Sequence, residues 1–275
     1  MNLEERVVYW VNAGLTRYTD MYVIQEKIAA LREDNAMSDM IIATQHYPEV
    51  NFGASREHNQ FSEQLLREVE EKKGSNYTQQ DVIEYLAEKG ILFSETKRGG
   101  GATVVAPGQF IFYPVVEHQS LTGKERETTA YKRLIDKIIY NVIKDWDVPH
   151  LEIAQGLLNV ENEVRERRDV WTKMNGQYYK IGSKGVQLGK RATQGGFVIY
   201  ARQEGVDLFK YVNACGYRPE EVGVISIEQV TGKKPTEQQI TARVKEEVKK
   251  IFRYDRLIEI PFDEIAERGE IRATA

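Results

Sequence analysis

Residues 91–116 read ILFSETKRGGGATVVAPGQFIFYPVV, and the remainder of the chain is organised around them. ILFSET has the composition of a strand. RGGGAT is a backbone-rich loop, and VVAPGQFIFYPVV is a loop leading into a strand apolar enough to be buried on both faces. Three successive glycines let a backbone approach a ligand closely or adopt positive φ. No GK[ST] follows the run and its spacing is not GxGxxG, so nucleotide-phosphate motifs fail.

Upstream, residues 5–11 alternate in the strand manner, and Met21, Ile24, Ile28 and Leu31 recur at helical spacing. MIIATQ (40–45) is an apolar strand leading into HYPEVNFG (46–53), where Pro48 and Gly53 mark a loop. Phe61, Leu65 and Val69 suggest a helix with a polar face, and Thr78 with Asp81 boxes the start of a second, capped by Gly90. EEKKGSN (70–76), between them, is the best candidate for an inserted connection.

Downstream, Tyr131, Leu134, Ile135, Ile138, Ile139 and Val142 mark a long helix, and Pro149 sits where a short following helix would begin. VWTKMNGQYYKIGSKGVQL (170–188) reads as a hairpin turning at Asn175-Gly176, and GGFVIYAR (195–202) adds a strand. DLFKYVNACGYRPEE (207–221) is a turn-rich crossing. Thr236 with Gln239 opens a last helix carrying Ile240, Val244, Val248 and Ile251. Strands and helices mix without a regular βαβ rhythm. The expected class is α+β, a mixed, mostly antiparallel sheet flanked by helices in one domain over 1–275. A helical segment at about 55–90 reads as inserted, and about 233–275 as a C-terminal helical extension.

The 275 residues are 41% hydrophobic, enough for a full core, and 38 basic against 42 acidic residues leave a net charge of −4. Nothing there holds a phosphate backbone nonspecifically, so no nucleic-acid partner is expected. A single cysteine excludes an internal disulfide and any multi-thiolate metal site. No apolar run approaches the length of a membrane span, and the expectation is a soluble, cytoplasmic protein. Two residues could carry chemistry. Cys215, in NACGY, precedes a glycine whose amide could face a developing oxyanion, and Lys180 lies in an apolar and aromatic strand where a solvated lysine is out of place. The histidines at 46, 58, 118 and 150 lack ligand spacing; all but His46 read as surface residues, and no metal is expected.

In order along the chain, RGGGATVVAPGQFIFYP, KIGSKGVQ and NACGYRPEEVGVIS resemble the RGG…T…GPGQ…YP, KIA…G(I/L)R and PCG(I/Y)…IS segments of the lipoyl(octanoyl) transferases. Tyr18, Gln25 and HYPEVNFG are similar to that family's early Y…Q helix and HPPV(Y/F)TLG loop, so the resemblance runs from about residue 8 to 232. It implies the fold of biotin and lipoate protein ligases and a ping-pong acyl transfer with Cys215 and Lys180 as catalytic dyad. The donor would be octanoyl-acyl carrier protein. The acceptor would be a lipoyl domain of a 2-oxoacid dehydrogenase or the glycine cleavage H protein, with no cofactor and no membrane involved. By the same resemblance Arg98, Gly99, Gly100, Gly101, Ala102, Thr103, Val104 and Val105 line an acyl tunnel. Ser183, Lys184, Gly185, Gly196, Phe197 and Val198 complete it.

The pattern is broken twice: Val104 and Val105 stand where the family has Tyr-His, and Gly195 where it has a histidine. Those losses leave the acyl group and the acceptor open. Alternatives are an ATP-dependent lipoate or biotin ligase, and a diverged acyl-binding paralogue.

Overall fold

The computed structural model of the chain describes residues 5–55, 60–123, 128–154, 157–160, 163–166, 168–214 and 222–268. The first strands are β1 (Val7–Thr16), β2 (Met40–His46), β3 (Glu49–Phe52), β4 (Leu92–Glu95), β5 (Ala102–Val105), β6 (Gln109–Val115) and β7 (Glu152–Ile153). They are followed by β8 (Leu157–Val160), β9 (Glu163–Glu166), β10 (Val170–Met174), β11 (Gln177–Leu188), β12 (Thr193–Tyr200), β13 (Gly223–Val224) and β14 (Arg256–Ile260). The helices are α1 (Tyr18–Glu33), α2 (Glu63–Lys73), α3 (Gln79–Glu88), α4 (His118–Thr122), α5 (Thr128–Ile143), α6 (Ile227–Thr231), α7 (Glu237–Ile251) and α8 (Phe262–Arg268).

The main sheet runs β14-β1-β2-β6-β12-β11-β10-β7, with β13 added beside β11. Pairs from β2 to β7 are antiparallel, whereas β14-β1, β1-β2 and β11-β13 are parallel. A small sheet, β4-β3-β5, and the β8-β9 hairpin stand beside it. Every residue of β6 is buried because helices cover both faces: Phe110 and Phe112 join the cluster of α5 and α7, while Ile111, Tyr113 and Val115 join that of α1. No described helix is long and apolar enough to cross a membrane.

Local chemistry sets several boundaries. Thr78 with Asp81 and Thr236 with Gln239 form complete capping boxes, satisfying amide donors at the starts of α3 and α7. Asn175 (φ +48°) and Gly176 (φ +84°) are both left-handed, as a two-residue turn of right-twisted strands requires.

Four expectations need correction. EVNF, expected in a loop, is the buried strand β3, because β4 and β5 pair with both its edges. No helix begins at Pro149: a 3-10 turn over Lys144–Trp146 ends at Asp147, whose left-handed conformation (φ +56°) stops it. α7 is not the last helix, since β14 follows it as the outer strand beside β1, and then α8. His118, expected at the surface, is fully buried; His58 lies outside the described residues.

Candidate active site

The position of Lys180 is decided by an irregularity in the sheet. Val170 pairs with Gly182 and Trp171 with Lys180, so Ile181 is the extra residue of a β-bulge. Val170 and Ile181 both enter the main core, and a Cβ on Gly182 would run into Ile139 of α5. Strict alternation would return Lys180 to that same core. The bulge sends it instead to the face of Trp171, whose ring centroid is 5.7 Å from the ammonium.

Lys180 Nζ lies 3.2 Å from Asp169 Oδ2. Asp169 Oδ1 accepts from the Lys184 amide and ammonium, each at 3.2 Å, and Lys184 Nζ reaches Asp136 Oδ1 of α5 at 2.5 Å. The side chains of Lys180, Asp169, Asp136 and Lys184 are only 12%, 10%, 11% and 6% exposed, so this is a buried cluster of two cations and two anions. Burial raises the Asp136 carboxyl, and Lys184 opposes that. Removing any one member would leave a buried charge uncompensated, at about 3–5 kcal/mol.

Cys215 lies outside the described residues. The described chain resumes at Val222, packed against Trp171, and β13 then runs beside β11 with Val224 opposite Lys180. The stretch that follows the cysteine thus returns to the lysine.

The residues expected to line a tunnel divide between two faces. Ser183 pairs with Val198, Lys184 with Phe197 and Gly185 with Gly196. Ser183, Gly185, Gly196 and Val198 share one face by alternation, where Tyr200 donates to Ser183 Oγ at 3.2 Å. Lys184 and Phe197 turn to the opposite face, Lys184 towards Asp136 and Phe197 into the core, stacked on Phe112 at 5.2 Å. Ala102 and Val104 pack with Val50 in the small-sheet core, Thr103 lies half-buried opposite Asn51, and Val105 joins Tyr18 and Met21 beneath α1.

Arg98 staples the glycine loop. Its Nε donates to Asn51 Oδ1 (2.7 Å), and its Nη2 to the Asn51 and Gly101 carbonyls (2.9 and 2.6 Å). The amides of Gly53, Ala54 and Ser55 donate to the Gly101, Arg98 and Gly100 carbonyls. Gly53 is the glycine this closure requires, because a Cβ there would overlap the Gly100 carbonyl; Gly99 and Gly100 are exposed.

A buried polar group stands beside the shared face. Tyr113 covers Gly196, where a Cβ would collide with its ring, and its hydroxyl is 2.8 Å from His46 Nε2. His46 Nδ1 is 3.1 Å from Thr16 Oγ1, which can donate or accept, and 3.2 Å from the Thr16 carbonyl, which can only accept; a proton on Nδ1 satisfies that carbonyl and leaves Nε2 to accept from Tyr113. Burial holds His46 down to about 4. The unfolded chain therefore binds more protons between about pH 6.5 and 4, and stability present above that window is lost as pH falls through it, by at most about 3 kcal/mol. In chemical denaturation across these pH values, His46→Gln should flatten the slope; an unchanged slope would remove His46 from the acid sensitivity.

Asp169 and Asp136 have no motif or periodicity that singles them out. The signal was indirect: lysines in buried strand positions require counter-ions. Together the groups can hold a lysine side chain out of bulk water beside an apolar face, where its ammonium can favour a thiolate and its amine, once neutral, can take up a proton. Among the described residues no acidic, histidine or cysteine cluster could hold a metal ion.

The architecture is that of the lipoate protein ligases. The bi-partite lipoate protein ligase of Thermoplasma acidophilum superposes with a TM-score of 0.62 at 12% identity, covering 98% of this chain and 94% of that one. A lipoate-protein ligase A bound with ATP gives 0.62 at 14% identity, covering 98% and 96%. Residues 17–249 match the model of the lipoyl protein ligase A/B catalytic domain, and the chain belongs to that family. Within it, the octanoyltransferase of Koribacter versatilis is 25% identical over 233 residues, 84% of this chain and 78% of that one.

Proposed function

We propose that this protein is an octanoyltransferase, moving an octanoyl group from acyl carrier protein through a thioester on Cys215 to a lysine of a lipoyl domain. The observation that carries the reading is Lys180, a lysine of the family motif that a bulge turns out of the core and onto Trp171, beside the strand that follows Cys215. The likeness to an octanoyltransferase over most of both chains supports the acyl group and favours transfer over ATP-driven ligation. The likeness to the ligases is one of fold.

In the first half, the Cys215 thiolate attacks the donor thioester carbonyl. The tetrahedral intermediate expels the carrier thiolate, which takes a proton, and Cys215 is left acylated. In the second, a lipoyl-domain lysine amine attacks that thioester, the new amide forms as the C–S bond breaks, and Lys180, once neutral, accepts the proton the amine loses. An octanoyl chain contributes about 0.8 kcal/mol per CH₂ buried, which the apolar face holding Val198 and Val105 would supply.

The test is incubation with octanoyl carrier protein and a lipoyl domain, without ATP, followed by intact mass. One octanoyl group should appear on this protein and then on the lipoyl domain. Transfer that requires free octanoate and ATP would overturn the reading in favour of a ligase.

A further inference from the structure

We propose that Asp169 is the positioning residue of Lys180, one carboxylate divided between two ammonium groups, so that Lys184, anchored by Asp136, sets how firmly Lys180 is held. The proposal rests on Lys180 being the lysine of the transfer reaction. Asp169 uses both oxygens: Oδ2 meets Lys180, while Oδ1 is fixed by the backbone and the ammonium of Lys184. Its backbone is left-handed at φ +80°, a conformation that costs energy outside glycine and is tolerated best by Asp and Asn. It stands one residue before Val170, where β10 meets the bulge, and the Ala154 amide binds its carbonyl at 2.9 Å. Strain, bulge and ion cluster therefore coincide at the residue that reaches Lys180.

The division of the carboxylate has a chemical consequence. A carboxylate given wholly to Lys180 would hold its proton too firmly for a group that must later accept one. Lys184 draws on the same carboxylate and adds a like charge nearby, and both effects loosen that proton. Among the described residues the charged groups on the elements packed against the pair are Asp169 from the start of β10, Asp136 from α5, itself acted on by Lys132, and Glu152 of β7 on the far side of Trp171, whereas Gly223 and Val224 of β13 bring none. Asp136 keeps Lys184 in place and is the fourth charge of the balance.

Two substitutions should act with opposite sign. Asp169→Asn keeps the size and the left-handed backbone but removes the charge, so Lys180 should lose its proton at lower pH. Lys184→Gln removes the competing cation, so Lys180 should lose its proton at higher pH. Each shift should be about one pH unit, or about tenfold in labelling rate at a fixed pH on the rising limb. The measurement is acetylation of Lys180 by a small N-hydroxysuccinimide ester across a pH series, read by peptide mass spectrometry on the full chain. The acidic limb of octanoyl transfer, followed in parallel, should move the same way. Shifts in one direction for both variants, or in neither, would overturn the proposal. Should either substitution fail to fold, the other decides alone, a shift in its own direction supporting the proposal and an unmoved profile overturning it. Opposite labelling shifts in a protein that transfers no octanoyl group would sink the functional reading and leave the positioning role standing.

Discussion

Cys215→Ser should abolish octanoyl transfer, by on the order of a thousandfold or more, while leaving the melting temperature within a degree or two of the parent. A serine hydroxyl remains protonated where a thiol beside a cation ionises, so the substitution removes the nucleophile with little change in volume. The same change should erase the octanoyl adduct in intact mass, because the chain has no second cysteine. Single-turnover transfer from octanoyl carrier protein, with a thermal melt as control, checks both. Transfer at the parent rate would mean that the acyl group never resides on Cys215, and direct attack by the acceptor amine would replace the ping-pong scheme.

Gly195→His, which restores the histidine of the family pattern, should destabilise the protein by about 2–4 kcal/mol and lower its melting temperature by roughly 5–15 °C. Gly195 has φ +77°, and a Cβ there would overlap the Gly185 carbonyl across the β11-β12 pair. The missing imidazole is therefore no simple deletion: the backbone has taken a conformation in which a side chain does not fit. Gly185→Ala is the control on the facing strand, since a Cβ there meets nothing within 4 Å, and it should change stability by less than about 0.5 kcal/mol. A Gly195→His protein that melts like the parent and transfers faster would return the departure to a lost hydrogen-bond donor.

At most turns and helix ends that carried their own chemistry the sequence was sufficient, the helix start expected at Pro149 being the exception because the left-handed Asp147 ends the preceding turn there. Thr78 with Asp81 and Thr236 with Gln239 satisfy amide donors within three residues of themselves, Asn175-Gly176 supplies both left-handed positions of a hairpin, and the apolar spacing from Tyr131 to Val142 defines the buried face of α5. The ordered motifs around Arg98, Lys180 and Cys215 made the family legible as well. Partners distant along the chain were not legible. EVNF becomes a strand because β4 and β5 reach it from some forty residues away, and β14 joins a sheet whose neighbouring strand lies at the opposite end of the chain.

The face Lys180 occupies was decided only by tertiary structure. Periodicity assigns a residue to a face by counting, and one extra residue at Ile181 inverts the count, so the lysine that alternation would bury against α5 turns to Trp171. Lys184 was expected in the acyl tunnel because the family resemblance implied it, yet it turns the other way to Asp136 and shares Asp169. Residue identity and spacing along one strand determined that a buried lysine was present. Where its charge points, and which carboxylates balance it, depended on a bulge and a helix that meet only when the chain has folded, because an ion pair is set by distance in space and has no period in sequence.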